Sequence, residues 1–310
     1  MKIASIDIGT NSMRLLIADY NKTISNRKKT INTTRIGQGI NKDGFISKDA
    51  INRNLDSFIN FVNTAKTDNA EYIYAIGTSA LRDSKNKEEF VELAKINTGI
   101  EIEIINGNTE AELGFYGVAM GVDDTEKLLI IDIGGGSTEF VVGSKQEGVI
   151  YKESIDIGAV RLTEKFKTKQ DSDDVSLIEM TKYINSKISH LYKIITTYNI
   201  KKVIGIGGTI TTASSINQNM KTYDTNKIHN SLLKVQDVEY MLNSLNQIPL
   251  RDRKKVVGLD PARADIIVSG LNILICILKC LNVTTVTVSE YDNLEGLMYY
   301  KLSLNKIQGE

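Results

Sequence analysis

Residues Leu128 to Val142 read LLIIDIGGGSTEFVV. Two aliphatic runs with the composition of buried strands are separated by an aspartate, three glycines, a serine and a glutamate. Glycine weakens a strand and marks a bulge or the close approach of another backbone or a ligand. A second copy of the pattern decides between these. DIGTNSMRLLI from Asp7 aligns without a gap with DIGGGSTEFVV from Asp132, 125 residues later, with Asp, Ile, Gly and Ser coincident. A third glycine turn, VIGIGGTIT from Val203, again ends an aliphatic run. Each of the three reads as a β-hairpin whose tight turn exposes backbone N–H groups. Glycine lets the main chain approach a phosphate, and Ser or Thr adds a hydroxyl donor. Two facing hairpins with a carboxylate at each strand end would grip a phosphate chain and a divalent cation between domains. Mg²⁺ suits such a place, being held by one or two carboxylates plus phosphate oxygens. Other glycine-rich signatures fail on spacing. GxxxxGK[ST] and Gly-x-Ser-x-Gly are absent, and Gly205-Ile206-Gly207 meets Ile210 where a dinucleotide fingerprint needs glycine.

The elements that must hold these turns alternate between strand and helix, which indicates an α/β fold. KIASIDI and MRLLIADY are strands around the first turn, and KTISNRKKTINTTRIG reads as further strand and hairpin. Ile51, Leu55, Phe58, Ile59 and Val62 recur at helical spacing over Lys48–Ala65. EYIYAIG and IEIEII are strands, each followed by a helix, the second being NTEAELGFYGVAM. The plan restarts at Leu128. A single helix is expected from the DSDDV run through Leu177, Met180, Ile184, Ile188, Leu191 and Ile195. A greasy core helix covers Ile266–Leu281, and strand, loop and final helix close the chain. The expected domains are 1–123 and 124–294, with a last helix at about 295–310 packing back on the first domain.

The 310 residues carry 38 basic and 38 acidic side chains, so no global field favours nucleic acid or membrane. An anionic substrate therefore needs a local site. Asp7 interrupts any signal-peptide core, and Ser269, Asn272 and Lys279 interrupt the greasiest segment, which points to a cytoplasmic protein. Cys276 and Cys280 share one helix face and read as small buried groups. The basic runs Arg27-Lys28-Lys29 and Arg251, Arg253, Lys254, Lys255 read as solvated faces, with the second as the better candidate to guide a polyanion.

These residues resemble a known group. Paired phosphate hairpins in two related halves resemble the acetate kinase, sugar kinase, Hsp70 and actin superfamily. Within it, DIGTNSMRLLI, GTSALRDSKN, TEAELGFYGV, DIGGGSTEF, IGAVRLTEKF, VIGIGGTITTAS and GLDPARADIIVSG resemble the exopolyphosphatase and guanosine pentaphosphate phosphatase family in its short two-domain form. The resemblance runs from residue 3 to about 290. It implies two actin-like (ribonuclease H-like) domains with a phosphate-binding cleft between them. It also implies Mg²⁺-dependent hydrolysis of a terminal phosphoanhydride of polyphosphate or guanosine pentaphosphate, a homodimer, and a monovalent activating cation.

Carried over by position, the resemblance implies that Glu110 is the general base that activates water, with Arg82 and Arg14 neutralising developing charge. Asp7, Asp132 and Glu139 become the metal-side carboxylates. Gly134, Gly135, Gly136 and Ser137 bind phosphate, with Thr10, Asn11 and Ser12 opposite and Gly207, Gly208 and Thr209 completing the cradle. Arg263 joins the second basic run in guiding the anion. Offset by 125, Arg14 corresponds to Glu139, so the repeat puts a cation where its copy has a carboxylate. Two departures, Thr109-Glu110-Ala111-Glu112 for Glu-Glu-Ala-Arg and Leu294 for an arginine before Glu295-Gly296-Leu297, make the site less positive. With two histidines in the chain, the histidine–aspartate metal domain of larger members is not expected. Two other readings stay open: an ATP-dependent kinase or ATPase, and a non-catalytic sensor of an alarmone or nucleotide.

Overall fold

A computed structural model describes residues 1–122, 126–167 and 176–308. The expected 123/124 domain boundary and the DSDDV start of the long helix lie outside the described residues. From the N-terminus the chain runs β1 (Lys2–Ile8), β2 (Met13–Asn21), β3 (Thr23–Asn32), α1 (Ile40–Asp43), α2 (Lys48–Thr67) and β4 (Tyr72–Gly77). Then come α3 (Ser79–Asp83), α4 (Lys87–Thr98), β5 (Ile102–Ile104) and α5 (Gly107–Gly121). The glycine hairpin follows as β6 (Leu128–Ile133) and β7 (Thr138–Ser144), then β8 (Gly148–Ile155), α6 (Ala159–Phe166), α7 (Leu177–Ile188) and α8 (Ile194–Tyr198). Next are β9 (Lys202–Ile206), α9 (Gly208–Asn217), α10 (Thr225–Ile228), β10 (Leu232–Lys234), α11 (Val235–Asn246) and α12 (Leu250–Arg253). The chain ends with α13 (Ile267–Cys280), β11 (Thr285–Val288) and α14 (Asn293–Gln308). It divides into two compact units, residues 1–120 with 291–310, and residues 121–290.

In the first unit the strand order is β3-β2-β1-β4-β5. The β1–β2–β3 meander is antiparallel, and β4 and β5 join it in parallel. Every residue of β1 after Lys2 is buried, as a central strand covered on both faces requires. Helix α2 starts where Ser47 Oγ accepts from Ala50 N, and its stripe of Ile51, Phe58, Phe61 and Val62 packs with Ile6, Ile8 and Phe90 in one core. Each such fully buried side chain contributes about 1.5–3 kcal/mol. Leu294, Met298 and Leu302 of α14 bury Ile3, Leu16 and Ala18 on a second cluster.

The start of α14 is a capping box. Leu294 N donates to Asp292 Oδ1, and Asp292 N donates to Glu295 Oε2, both at 2.9 Å. Two cations of β3 complete it. Arg27 pairs with Glu295 and lies 3.8 Å over the Tyr291 ring, while Lys29 Nζ stands 3.0 Å from Glu295 and 3.3 Å from Asp292. The reading of Arg27-Lys28-Lys29 as a solvated face is corrected here. Strand alternation points Lys28 outward to Asp68 and turns its neighbours onto the buried carboxylates. Helices α5 and α14 meet through glycine: a Cβ on Gly117 would run into the Asp292 carbonyl, and one on Gly296 into the Leu113 carbonyl.

The second unit has the order β10-β11-β9-β6-β7-β8. Read from β8, an antiparallel meander is again followed by parallel β9 and β11, with β10 added at the edge. The sequence repeat is thus a repeat of topology, and both units are α/β as expected for a pair of actin-like domains. Helix α13 is buried from Ile267 through Leu278, the signature of a core helix.

Three expectations are corrected in this unit. The helix expected through Ile195 breaks after α7 into a 3-10 turn over Ser189–Lys193 before α8. The Ile188 carbonyl at the break accepts from the Cys280 thiol at 3.4 Å, a contact the periodicity could not show. The third glycine turn is a strand-to-helix junction, where Gly207 takes φ 86° and Gly208 opens α9. Finally, Arg253 is no guide for a polyanion: it is 2% exposed, and its guanidinium donates to the carbonyls of Leu245, Ile248 and Ala264. It satisfies carbonyls around the end of α11. Arg251 and Lys255 of the same run stay exposed beside Asp252.

Candidate functional site

The two hairpins have the same geometry. Gly9 N donates to Ser12 O at 3.1 Å, and Gly134 N to Ser137 O at 3.0 Å. Cross-strand partners also correspond, Asp7 with Arg14 in one and Asp132 with Glu139 in the other. Exchanging one residue therefore turns an ion pair into two adjacent carboxylates on the same scaffold.

In each turn the carbonyls are held from behind. Ala159 N donates to Gly134 O at 3.0 Å, and the amides of Val160 and Arg161 donate to Gly135 O at 2.9 and 3.0 Å. Arg161 Nε reaches Gly136 O at 2.7 Å. The N–H and C=O of a trans peptide point in opposite directions. Carbonyls fixed toward the start of α6 therefore turn the N–H groups of Gly135, Gly136 and Ser137 away from it, as an anion-binding nest requires. Gly158 is glycine because a Cβ there would collide with the Gly135 and Gly136 backbone. In the first unit Gly37 N and Arg35 N hold the carbonyls of Thr10 and Asn11 at 3.0 and 2.9 Å, turning the amides of Asn11 and Ser12 the same way. Thr10, Asn11, Ser12 and Ser137 are buried. Gly158→Ala is expected to lower the unfolding free energy by about 1–3 kcal/mol, read by denaturant titration. An unchanged midpoint would mean that the loop does not need this approach.

The remaining residues of the first unit lie beyond the carboxyl ends of its parallel strands, where α/β sheets bind ligands. Arg82 follows β4 on α3, and Glu110 follows β5 in the first turn of α5. Asn106 starts α5, its Oδ1 accepting from Thr109 N at 2.9 Å. Arg82 Nη1 donates to Glu110 Oε2 at 3.0 Å and to Ile105 O at 3.1 Å. Glu110 is 8% exposed, so the guanidinium keeps an otherwise costly buried charge in place.

Arg14 lies between two carboxylates, Asp7 and Asp292, the latter at 2.7 Å. One cation does not fully serve both. Burial works against the charge of Asp292, but Arg14, Lys29 and the Leu294 amide outweigh it and hold its pKa down at about 2. Asp7 has Arg14 alone, so burial wins and its pKa is raised. Its other oxygen, Oδ1, is buried without a hydrogen-bond partner.

In the second unit Asp132 and Glu139 are both buried, and Ser154 Oγ donates to Glu139 Oε1 at 2.7 Å. A Cβ on Gly207 would strike Asp132 Oδ1, and one on Gly208 the Arg263 guanidinium. The third turn thus lies against both. The Thr209 side chain packs into the gap left by Gly270 of α13, and its backbone amide lies in the first turn of α9. Adjacent hard oxygens at Asp132 and Glu139 fit Mg²⁺, with phosphate completing the shell. Among the described residues no three His, Cys, Asp or Glu gather as a metal cluster. Sequence reasoning missed Gly158 and Arg161, although both lie in the IGAVRLTEKF stretch it singled out, and it missed Asp292, which no motif marked.

A model of the Ppx/GppA phosphatase family matches residues 17–305. The chain is 36% identical over 310 residues to a bifunctional 3-dehydroquinate synthase/phosphatase of Fusobacterium nucleatum, covering 94% of this chain but 45% of that protein. It is 30% identical to exopolyphosphatase 2 of Mycobacterium tuberculosis, over 96% of this chain and 97% of the relative. The crystal structure of an exopolyphosphatase from Cytophaga hutchinsonii superposes with a TM-score of 0.86 at 31% identity, covering 98% of both chains. The chain therefore spans about half the length of one relative and nearly all of the others. The duplicated hairpin and its strand order thus have close counterparts along almost the whole sequence, and the chain belongs to the Ppx/GppA phosphatase family.

Proposed function

We propose that the protein is a phosphoanhydride hydrolase that releases orthophosphate from the end of inorganic polyphosphate. The observation that carries this reading is the clamp on the glycine loop. With the carbonyls of Gly134, Gly135 and Gly136 tied to α6 and Arg161, the loop amides are committed to an anion before one arrives, so binding costs little reorganisation. The relatives named as exopolyphosphatases support the substrate class.

In this reading Glu110 takes a proton from the attacking water, and Arg82 orients its carboxylate. The amides of Gly135, Gly136 and Ser137 hold phosphoryl oxygens, and those of Asn11 and Ser12 are turned to do the same. Arg263, lying on Gly208, meets the following phosphates. Arg14, held between Asp7 and Asp292, neutralises developing charge. Asp132 and Glu139 would hold Mg²⁺, which neutralises phosphate charge when bound. A cytoplasmic homodimer and a monovalent activator belong to the same reading.

Guanosine pentaphosphate presents the same phosphoanhydride end and is the alternative substrate; a sensor that binds without hydrolysis is the other alternative. The deciding assay measures orthophosphate release from polyphosphate, guanosine pentaphosphate and ATP. Polyphosphate is expected to give the highest kcat/KM. Preference for either nucleotide would reassign the substrate, and binding without release from any of the three would make the protein a sensor. Chelating Mg²⁺ with EDTA is expected to abolish release, and adding Mg²⁺ back to restore it. Full activity in EDTA would remove the metal from the reading.

A further inference from the structure

Helix α2 packs an apolar stripe into the core of the first unit, but Arg53, Asn54 and Ser57 turn a polar edge to the segment around the end of β3. Asn54 is fully buried, and its Nδ2 donates to Thr34 O at 3.2 Å and to Ala50 O at 2.8 Å. Arg53 Nε donates to the same Thr34 carbonyl at 2.7 Å. Two donors thus occupy both acceptor positions of one carbonyl.

That carbonyl shares a peptide with the Arg35 N–H, and the N–H and C=O of a trans peptide point in opposite directions. Gripping Thr34 O from α2 therefore aims the Arg35 N–H the other way, where it donates to Asn11 O at 2.9 Å. Asn11 O in turn shares a peptide with the Ser12 N–H. A chain of hydrogen bonds thus runs from α2 through two peptide planes to the Ser12 amide, and each bond polarises the next. The Asn11 amide stands outside this chain, because its own peptide carbonyl, Thr10 O, is held by Gly37 N at 3.0 Å.

The second turn contains a shorter version. The repeat equates Ser12 with Ser137, and Arg161 Nε donates at 2.7 Å to Gly136 O, which shares a peptide with the Ser137 N–H. An arginine Nε stands behind the equivalent serine amide in both turns, directly in one and through a strap in the other. The strap works against stability. Arg35 takes φ 51°, in the left-handed region, and Asn54 Oδ1 and Thr34 Oγ1 are buried without hydrogen-bond partners. Such features collect at functional sites.

We infer that Asn54 and Arg53 are positioning residues of the phosphate site: through Thr34 and Arg35 they aim and polarise the Ser12 amide for a phosphoryl oxygen. The inference rests on the reading of the first hairpin as a phosphate-binding turn.

The test follows backbone amides of the whole protein by NMR during titration with methylenediphosphonate, which has no P–O–P bridge to hydrolyse. In the wild type the Ser12 and Ser137 amides are expected to move downfield as the probe binds. In Asn54→Ala the Ser12 amide of the free protein is expected to move upfield, while Asn11 moves less and Ser137 stays in place. The Kd read at Ser12 is expected to weaken about fivefold or more, the weight of one hydrogen bond. A merely structural role would lower the unfolding midpoint and leave that Kd unchanged. Should Asn54→Ala fail to fold, Arg53→Met at an exposed position is expected to act in the same direction. Arg53→Lys, which keeps a donor for Thr34 O, is expected to stay within about twofold of wild type. A Ser12 amide and a Kd that neither Asn54→Ala nor Arg53→Met changes would overturn the inference and leave the phosphate reading standing. A wild type in which neither serine amide responds to the probe would overturn both.

Discussion

Glu110→Gln is expected to lower kcat for orthophosphate release by about 10²–10⁴-fold, the usual weight of a general base. Gln keeps an oxygen for Arg82 Nη1, which stands 3.0 Å from Glu110 Oε2. The first turn of α5 and its Asn106 cap are untouched, so the melting temperature should hold. KM should also move little, because the phosphate-binding amides belong to other residues. Steady-state kinetics on the best substrate, alongside a thermal melt, checks all three statements. A variant within tenfold of wild type would show that another group accepts the proton. A variant that lost activity and melted early would return Glu110 to a structural role. Arg82→Ala tests the same pair from its other side, but it removes a cation from a buried carboxylate and so mixes stability with rate.

Asp292→Ala is expected to cost about 3–5 kcal/mol of unfolding free energy, the range seen when one member of a buried ion pair is removed. Asp292 accepts from Arg14 and Lys29 and caps α14 through the Leu294 amide. Its loss takes one carboxylate partner from Arg14 and one from Lys29. The pH dependence carries the sign of a depressed carboxyl. Asp292 is held at about 2 in the folded chain against an ordinary 3.8. Its contribution is therefore fully present above about pH 4 and is lost as the pH falls toward 2. The difference between wild type and Asp292→Ala should be widest at neutral pH and close across that window. Asp7 acts in the opposite sense: its raised pKa means that it takes up a proton in the folded chain before the unfolded one does, which favours the fold as the pH drops. Urea unfolding from pH 2.5 to 7 measures both. A difference that did not change with pH would rule out the ionised carboxylate as its source.

Much of the fold was legible because the repeat was legible. Two copies of Asp-Ile-Gly, each between aliphatic runs, sufficed to place two hairpins, and the helix stripe Ile51, Phe58, Val62 was fixed by spacing alone. The reading went wrong where local pattern and long-range contact disagree. The Leu177–Ile195 periodicity is unbroken in sequence, but the carbonyl at its middle meets a thiol 92 residues away. The glycines at 207 and 208 look like those at 134–136; what separates them is the helix that starts at Gly208. Arg253 and Lys29 look like any charged surface run until three carbonyls in one case, and two carboxylates in the other, are brought to them.

By itself the sequence determined which side chains are available for chemistry, because residue type and the spacing of the repeat are properties of the chain. Asp7, Asp132, Glu139 and the three glycines follow from that, whereas Glu110 was marked only by the resemblance to the family. Tertiary structure alone decided what those groups face. The loop amides point outward because α6 ties their carbonyls back, and Glu110 keeps its orientation because Arg82, 28 residues away, donates to it. Asp7 and Asp292, 285 residues apart, share Arg14 but differ in pKa because Asp292 also has Lys29 and the Leu294 amide, so burial wins only at Asp7. Electrostatics and hydrogen bonding depend on distance in space, and only folding fixes that.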